Sequence, residues 1–314
     1  ESWVFVPVFS CANTHLILKR TVDSFFLTCK MRIRVAGLTI NIEEGKHPLS
    51  TASLPCHYKF LCPPETEDNS PTLKLRFADL PTLLPGSLSA LRCRNEIWEL
   101  WQDQAGNHYF TQPTQSPQRW VQINPDFTEG LIYGDFSSLA GRPFYPLEYL
   151  DIVLVSNWLA LRGELILHAA GIAWQNQAFV FLGNSGAGKS TLAADLAAAT
   201  DAVILGEDQI IVRQIDGRFV AFGTPWHQDP SRCDPQGVEL SKLFFLDRAA
   251  EQTITPLSGF DAAVRIMATA FVPYYFPARV QTIMDKLAQL PEQTRAFVLS
   301  YQRGSDILQV IRRA

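Results

Sequence analysis

A glycine-rich segment that ends in a lysine and two hydroxyl residues stands in the second half of the chain. Its residues are Gly183, Asn184, Ser185, Gly186, Ala187, Gly188, Lys189, Ser190 and Thr191. The apolar run 178–182 precedes it and an alanine-rich run follows it, as the strand and the helix that flank a P-loop would. In such a loop, glycines let backbone N–H groups face phosphate oxygens. The segment therefore predicts a nucleoside triphosphate site. The alternative, a chance match in a glycine-rich turn, is disfavoured by the flanking runs.

The side chains at the end of this segment have the chemistry that a bound triphosphate requires. A lysine in the place of Lys189 reaches the β and γ phosphates, and a hydroxyl in the place of Ser190 binds Mg²⁺. The helix that follows adds the partial positive charge of its N-terminus. No Asn-Lys-x-Asp guanine motif occurs in the sequence, which disfavours a GTPase. We therefore expect ATP and Mg²⁺ as the ligands.

Two adjacent acids, Glu207 and Asp208, follow the next apolar run, residues 202–205. If that run is a strand of a parallel sheet, its carboxyl end lies at the edge where α/β proteins bind ligands. One carboxylate can complete the Mg²⁺ shell, and the other can accept the proton of an attacking hydroxyl. A solvated acidic turn is the alternative interpretation. The position one strand after the glycine-rich segment favours function.

Two histidines and three arginines are further candidates. His168 lies on the strand predicted for residues 164–174, which a short turn joins to the strand before the glycine-rich segment. It can be a core histidine with a backbone partner or a group beside the phosphates. His227, in the segment 223–227, is the weaker candidate, because turn residues are often polar. Arg232, Arg248 and Arg265 could each meet a phosphate, although surface arginines are common.

The composition is typical of a folded globular protein and gives no electrostatic reason to bind polyanions. Hydrophobic residues make up 47% and charged residues 18% of the 314 residues, and the net charge is −4. No apolar run reaches the roughly 18–20 residues that span a bilayer. The six cysteines form no Cys-x-x-Cys pair. We therefore expect a reduced, cytoplasmic protein that binds neither nucleic acid nor membrane, and leave open whether it forms a homo-oligomer.

The patterns divide the chain into three parts. Residues 1–30 mix short apolar runs without the order of a signal peptide and are interpreted as an N-terminal extension. Residues 31–145 alternate short strands with turns, beginning with a strand-like stretch over 31–42, and predict a β-rich accessory domain. Residues 146–314 begin with apolar residues at helical spacing and contain the glycine-rich segment, so they predict the catalytic domain.

Four segments together resemble a known family. They are His168-Ala-Ala-Gly, the glycine-rich segment, Glu207-Asp208 and Gly223-Thr-Pro-Trp-His, and they are similar to the catalytic domain of HPr kinase/phosphorylase and its group of serine-kinase-like proteins. The resemblance covers about residues 146–250. It implies an α/β fold with a P-loop kinase core, related to that of phosphoenolpyruvate carboxykinase, beside the β-rich N-terminal region.

The resemblance also implies roles for individual residues. Glu207 would be the base, Asp208 and Ser190 the Mg²⁺ ligands, Lys189 the phosphate clamp, and His168 the assistant of the base. The family usually has Asp where this chain has Glu207, and the downstream signature Leu-Glu-[Ile/Val]-Arg-Gly-Leu-Gly is absent. A closer likeness is to shorter relatives, some encoded beside peptide-modification genes, including kinases of lasso-peptide precursors.

The sequence therefore predicts an ATP-dependent kinase that phosphorylates a serine of a peptide or protein other than HPr. Two alternatives remain open. The chain can be a nucleotide-dependent regulator without phosphotransfer, or a small-molecule kinase or carboxykinase-like enzyme.

Overall fold

The structure is a computed structural model in which the chain divides into two units, Glu1–Leu154 and Val155–Ala314. It describes the strand backbones of residues 4–9 and 14–19, and residues 30–43, 45, 47–52, 54–63, 70–79, 90–114, 118–139, 141–247, 252–290, 293–300, 308–309 and 311. The division falls within helix α1 (Asp151–Ala160). The boundary predicted after residue 145 lies in the turns before that helix and stays a prediction.

The described part of the first unit is built from strands. These are β1 (Val4–Phe9), β2 (Thr14–Lys19), β3 (Met31–Val35), β4 (Leu38–Ile42), β5 (Thr72–Ala78), β6 (Ala90–Arg94), β7 (Glu99–Gln102), β8 (His108–Thr111), β9 (Arg119–Ile123) and β10 (Glu129–Gly134). Strands β1 and β2 pair with each other, and the others form a sheet in the order β3-β4-β5-β10-β9-β8-β7-β6. The stretch predicted over 31–42 is a hairpin rather than one strand, because Ala36 and Gly37 both take positive φ values.

The second unit combines strands and helices. Its strands are β11 (Leu165–Trp174), β12 (Gln177–Leu182), β13 (Val203–Gly206), β14 (Gln209–Ile215), β15 (Arg218–Phe222), β16 (Gly237–Asp247), β17 (Thr253–Pro256) and β18 (Arg295–Ser300). Its helices, besides the end of α1, are α2 (Lys189–Ala199), α3 (Gly259–Thr269) and α4 (Pro277–Leu287). None of the helices in the described residues combines the length and the apolar composition that crossing a bilayer requires.

The strands of the second unit form a mixed sheet that closes on itself. Neighbours follow the order β12-β11-β14-β15-β16, and β16 also pairs with β12, so these five strands make a barrel. The order continues from β16 to β18 and β17, and β13 pairs with β11. Only the pairs β12–β16 and β16–β18 are parallel among the described pairings of this unit.

The predicted fold class, an α/β P-loop kinase core of the HPr kinase and carboxykinase type, is wrong. The described residues form two large sheets beside the helices α1–α4, and the second sheet is mostly antiparallel. The sequence predicts the hairpin turn at Asp216 and Gly217, but the prediction also placed the strand at residues 202–205 in a parallel sheet. In the structure β13 pairs antiparallel with β11, and a single tight turn at Asp216 and Gly217, both with positive φ values, joins β14 to β15. Antiparallel neighbours need no helical crossover.

The alternation of side chains along β11 decides which residues face which core. Leu165, Leu167 and Ala169 pack in a cluster that includes residues of α3 and α4. Ala170 and Ile172 pack in a second cluster, which includes Leu192 and Leu196 of α2. Because successive strand residues point to opposite faces, His168 faces the same side as Ala170, toward α2.

Candidate functional site

The glycine-rich loop, residues 183–188, connects strand β12 to helix α2, as the sequence predicts. Gly188 is the N-cap of α2 with φ of 98°, a left-handed conformation that favours glycine. No side chain caps the first turn of the helix. Its first backbone N–H groups therefore have no side-chain acceptor from the cap position, which is the arrangement that favours an anion at a helix N-terminus.

Lys189 lies across this loop instead of extending into solvent. Its Nζ donates to the carbonyl oxygens of Gly183 at 2.8 Å and Asn184 at 3.2 Å. Lys189 is 7% exposed, and burial lowers the pKa of its ammonium while the charge of Asp208 acts in the opposite direction. The loop thus holds one partly desolvated cation at the place where the sequence predicts a phosphate clamp.

His168 joins Lys189 to one of the predicted acids. Its Nε2 lies 3.2 Å from Lys189 Nζ, and its Nδ1 lies 3.0 Å from Asp208 Oδ1. An ammonium has only donors, so Nε2 must accept and Nδ1 must carry the proton that Asp208 accepts. The three side chains therefore form one hydrogen-bonded chain, Lys189–His168–Asp208.

The two acids lie in a short interruption between β13 and β14, which we call the acidic break. Gly206 pairs with Gly171 and Gln209 pairs with His168, so the register along β11 is the same on both sides of the break, whereas a bulge shifts the register of β13 before Gly206. The N–H of Ala169 donates to the Asp208 carbonyl oxygen at 3.0 Å and keeps that register through the break. The acids are thus held beside β11, within a line of strands, and not at the end of a parallel strand.

Glu207 and Asp208 have different partners although they are adjacent. The carboxylate of Glu207 forms an ion pair with Nη1 of Arg232, whereas its carbonyl oxygen accepts from Ser190 Oγ at 3.3 Å. Asp208 accepts from His168 and, at 2.9 Å, from Gln209 Nε2. The resemblance implies His168 as an assistant of Glu207, whereas the structure places it against Asp208.

The sequence gives Arg232 as one of three candidate arginines but cannot distinguish it from Arg248 and Arg265. Arg232 is 25 positions away from Glu207 in sequence, and the contact depends on a backbone link from Asp234 N–H to the carbonyl oxygen of Leu205, 3.1 Å long. No local pattern encodes that link. Arg265 stacks over Phe245 instead, with 5.8 Å from its guanidinium carbon to the ring centre, and Arg248 lies outside the described residues.

His227 contacts Thr224, which binds the backbone next to the acidic break. Thr224 Oγ1 donates to the carbonyl oxygen of Gln209 at 2.9 Å, so it accepts the proton of His227 Nε2, 3.2 Å away. Burial lowers the pKa of His227, while the charge of Asp208 acts in the opposite direction. Thr224 therefore ties the segment after β15 to the start of β14, and His227 donates to Thr224.

The oxygens near the loop suit Mg²⁺ that arrives with a nucleotide. The described residues contain no group of three or more His, Cys, Asp or Glu side chains that could hold a metal ion by themselves. Ser190 Oγ donates to the carbonyl oxygen of Glu207, the residue that precedes Asp208, so one predicted ligand contacts the backbone next to the other. Mg²⁺ commonly takes one or two protein oxygens and completes its shell with phosphate and water.

Comparisons with known proteins find limited similarity. Residues 149–291, less than half of the chain, match the family model described as SynChlorMet cassette protein ScmC. No curated protein matches the chain. Among solved structures, the HPr(Ser) kinase/phosphatase from Coxiella burnetii is similar at 10% identity over 47% of this chain and 86% of its own, with a TM-score of 0.28. A TM-score this low carries no argument about fold or function.

Proposed function

We propose that the chain is an ATP-dependent phosphotransferase that moves the γ-phosphate of ATP to a hydroxyl, most readily a serine of a peptide or protein. The observation that carries this proposal is the hydrogen-bonded chain Lys189–His168–Asp208 at the mouth of the glycine-rich loop. A cation on the loop can bind phosphate oxygens and a carboxylate can hold Mg²⁺, and both are groups that phosphoryl transfer uses.

Each group has a defined task in the proposed reaction. Lys189 and the backbone N–H groups of the loop bind the β and γ phosphates. Mg²⁺, held by Ser190 and Asp208 together with phosphate oxygens, would neutralise part of the charge on the triphosphate. His168 keeps the carboxylate of Asp208 in one orientation through its Nδ1 proton. Glu207 is the base that accepts the proton of the attacking hydroxyl.

The transfer is a displacement at phosphorus. The acceptor oxygen forms a bond to the γ-phosphorus, and the bond from that phosphorus to the β,γ-bridging oxygen breaks. ADP leaves with the bonding electrons, and the hydroxyl proton passes to the carboxylate of Glu207. General-base assistance of this kind contributes about 10²–10⁴ in rate.

The experiment follows label from γ-labelled MgATP into a lysate of the producing cells, separated into macromolecular and small-molecule fractions. Wild type is compared with Asp208→Asn and with the matched control Asp216→Asn, which changes an acid in the turn between β14 and β15. We expect label in a peptide or protein that disappears with Asp208→Asn and persists with Asp216→Asn.

The other outcomes discriminate between the alternatives. Label confined to small molecules would make the acceptor a metabolite, as in a small-molecule kinase. MgATP binding without transfer, together with nucleotide-dependent binding of a partner that survives Glu207→Gln, would favour the regulator. Absence of MgATP binding by the wild type would overturn the proposal.

A further inference from the structure

The loop that holds Arg232, residues 229–232, is firmly built around its own backbone. The Asp229 side chain accepts from the N–H of Ser231 at 2.9 Å and from its hydroxyl at 2.7 Å, and the N–H of Arg232 donates to the Asp229 carbonyl oxygen at 3.0 Å. Cys233, the next residue, is buried. The backbone of Arg232 is therefore fixed beside the acidic break, and the position of its guanidinium is set by its side-chain partners.

The guanidinium of Arg232 is shared between two carboxylates. Nη1 pairs with Glu207, and Nε lies 3.3 Å from Asp229 Oδ2. The Glu207 side chain is 16% exposed, whereas those of Arg232 and Asp229 are 41% and 54% exposed. The hydrogen bond to Glu207 is the main cause that raises the pKa of Arg232. Ion pairs that solvent reaches are weak, so another anion can replace one of these partners.

A triphosphate is the anion for which this guanidinium is suited. The carbonyl oxygen of Glu207 contacts Ser190, the second residue of α2, so the acidic break lies against the start of the helix that the glycine-rich loop precedes. The planar fork of arginine matches the oxygens of a terminal phosphate and binds them through two parallel hydrogen bonds. A γ-phosphate near Lys189 would therefore compete with Glu207 for Arg232.

We propose, on the basis of the proposed function, that Arg232 is a γ-phosphate sensor: it binds the Glu207 carboxylate in the free protein and transfers to the γ-phosphate of bound ATP. This exchange has two effects on the site. It adds a cation to the phosphate that is transferred, and it releases Glu207, which can then accept a proton only when the γ-phosphate is in place. ADP lacks that phosphate and would leave the Arg232–Glu207 pair intact.

The exchange is tested by comparing affinities for MgADP and for the Mg²⁺ complex of the non-hydrolysable ATP analogue AMP-PNP, measured by calorimetry. We expect Arg232→Gln to lower the AMP-PNP affinity about tenfold or more and to change the ADP affinity less than about twofold. Arg232→Lys keeps the charge but loses the fork, so it should recover part of the AMP-PNP affinity. The matched control is Arg218→Gln, which breaks the exposed pair of Arg218 with Glu239 at 2.8 Å. It should change neither affinity.

Each other outcome counts against the proposal. Equal losses for both nucleotides would make Arg232 a general support of the site, and unchanged affinities would leave it a surface ion pair. Thermal unfolding of every variant shows whether a loss of affinity comes from misfolding. If Arg232→Gln is misfolded, the ratio of AMP-PNP affinity to ADP affinity in Arg232→Lys is the test. If the wild type binds neither nucleotide, the proposed function itself fails. This result differs from any change in the ratio of AMP-PNP affinity to ADP affinity, which bears on Arg232 alone.

Discussion

At the residue scale, the site depends on how a few polar groups divide their hydrogen bonds. Lys189 donates to two loop carbonyls and to His168, and the Nδ1–H of His168 donates to Asp208. Glu207 takes no part in this chain and is bound to Arg232. The adjacent acids therefore differ in their surroundings, which is the condition under which two carboxylates can take different roles.

Replacing the loop cation tests its role directly. Lys189→Met keeps most of the volume of the side chain and removes its charge, so we expect MgATP affinity to fall at least about tenfold and phosphotransfer to be lost. The control is Lys242→Met, since Lys242 is another partly buried lysine of the second unit, whose Nζ donates to the carbonyl oxygen of Ile311 at 3.1 Å. Calorimetric titration with MgATP measures both variants. Wild-type affinity in Lys189→Met would exclude Lys189 as a phosphate ligand.

At the element scale, local patterns identified the pieces of the site but not their arrangement. The strand before the glycine-rich loop, the helix after it and the turn at Asp216 all have clear local signals, and the structure contains each of them. The pairing of β12 with β16 joins segments that are far apart in sequence, so no local pattern predicts that the barrel closes. For the same reason the sequence could not show that β13 and β14 both pair with β11.

The contact between β13 and the segment after residues 229–232, the loop that holds Arg232, can be tested at Gly223. A methyl group there would lie 2.0 Å from the carbonyl oxygen of Asp234 and 2.2 Å from that of Leu205. Because backbone atoms must move to admit it, we expect Gly223→Ala to lower the free energy of unfolding by about 1–3 kcal/mol. It should also weaken the contact between Arg232 and Glu207. Urea denaturation measures the free energy of unfolding.

Gly237→Ala is the control for this prediction. A methyl group at Gly237 would meet only the edge of the Phe222 ring, 2.2 Å away, and that ring can turn aside. We expect its effect on the free energy of unfolding to be smaller than that of Gly223→Ala. If the two variants were equally stable, the backbone contact at Gly223 would not be tight.

At the scale of the whole molecule, all proposed nucleotide-binding residues belong to the unit Val155–Ala314. A ligand that binds only the folded form of a unit stabilises that unit by mass action. MgATP at about 100 times its dissociation constant should add roughly 2.7 kcal/mol, which raises the melting temperature of a unit of this size by about 5–10 °C.

Amide hydrogen exchange locates this stabilisation. We expect slower exchange with MgATP in α2, β13 and β14, and unchanged exchange in strands β3–β10 of the first unit. Scanning calorimetry with and without MgATP measures the shift in melting temperature. Protection confined to the first unit would place the nucleotide site elsewhere in the chain.

The register that Gly206 and β14 share along β11 also limits how this protein can be altered by insertion and deletion. Ile210 and Val212 are core residues of β14, and their inward orientation depends on the number of residues that separate them from β13. One residue added to or removed from the acidic break would turn every following side chain of β14 to the other face of the sheet unless a bulge absorbed the change, as one does in β13 before Gly206. The packing of the barrel therefore favours the present length of the acidic break, and a single-residue insertion fits only where the strand can form another bulge.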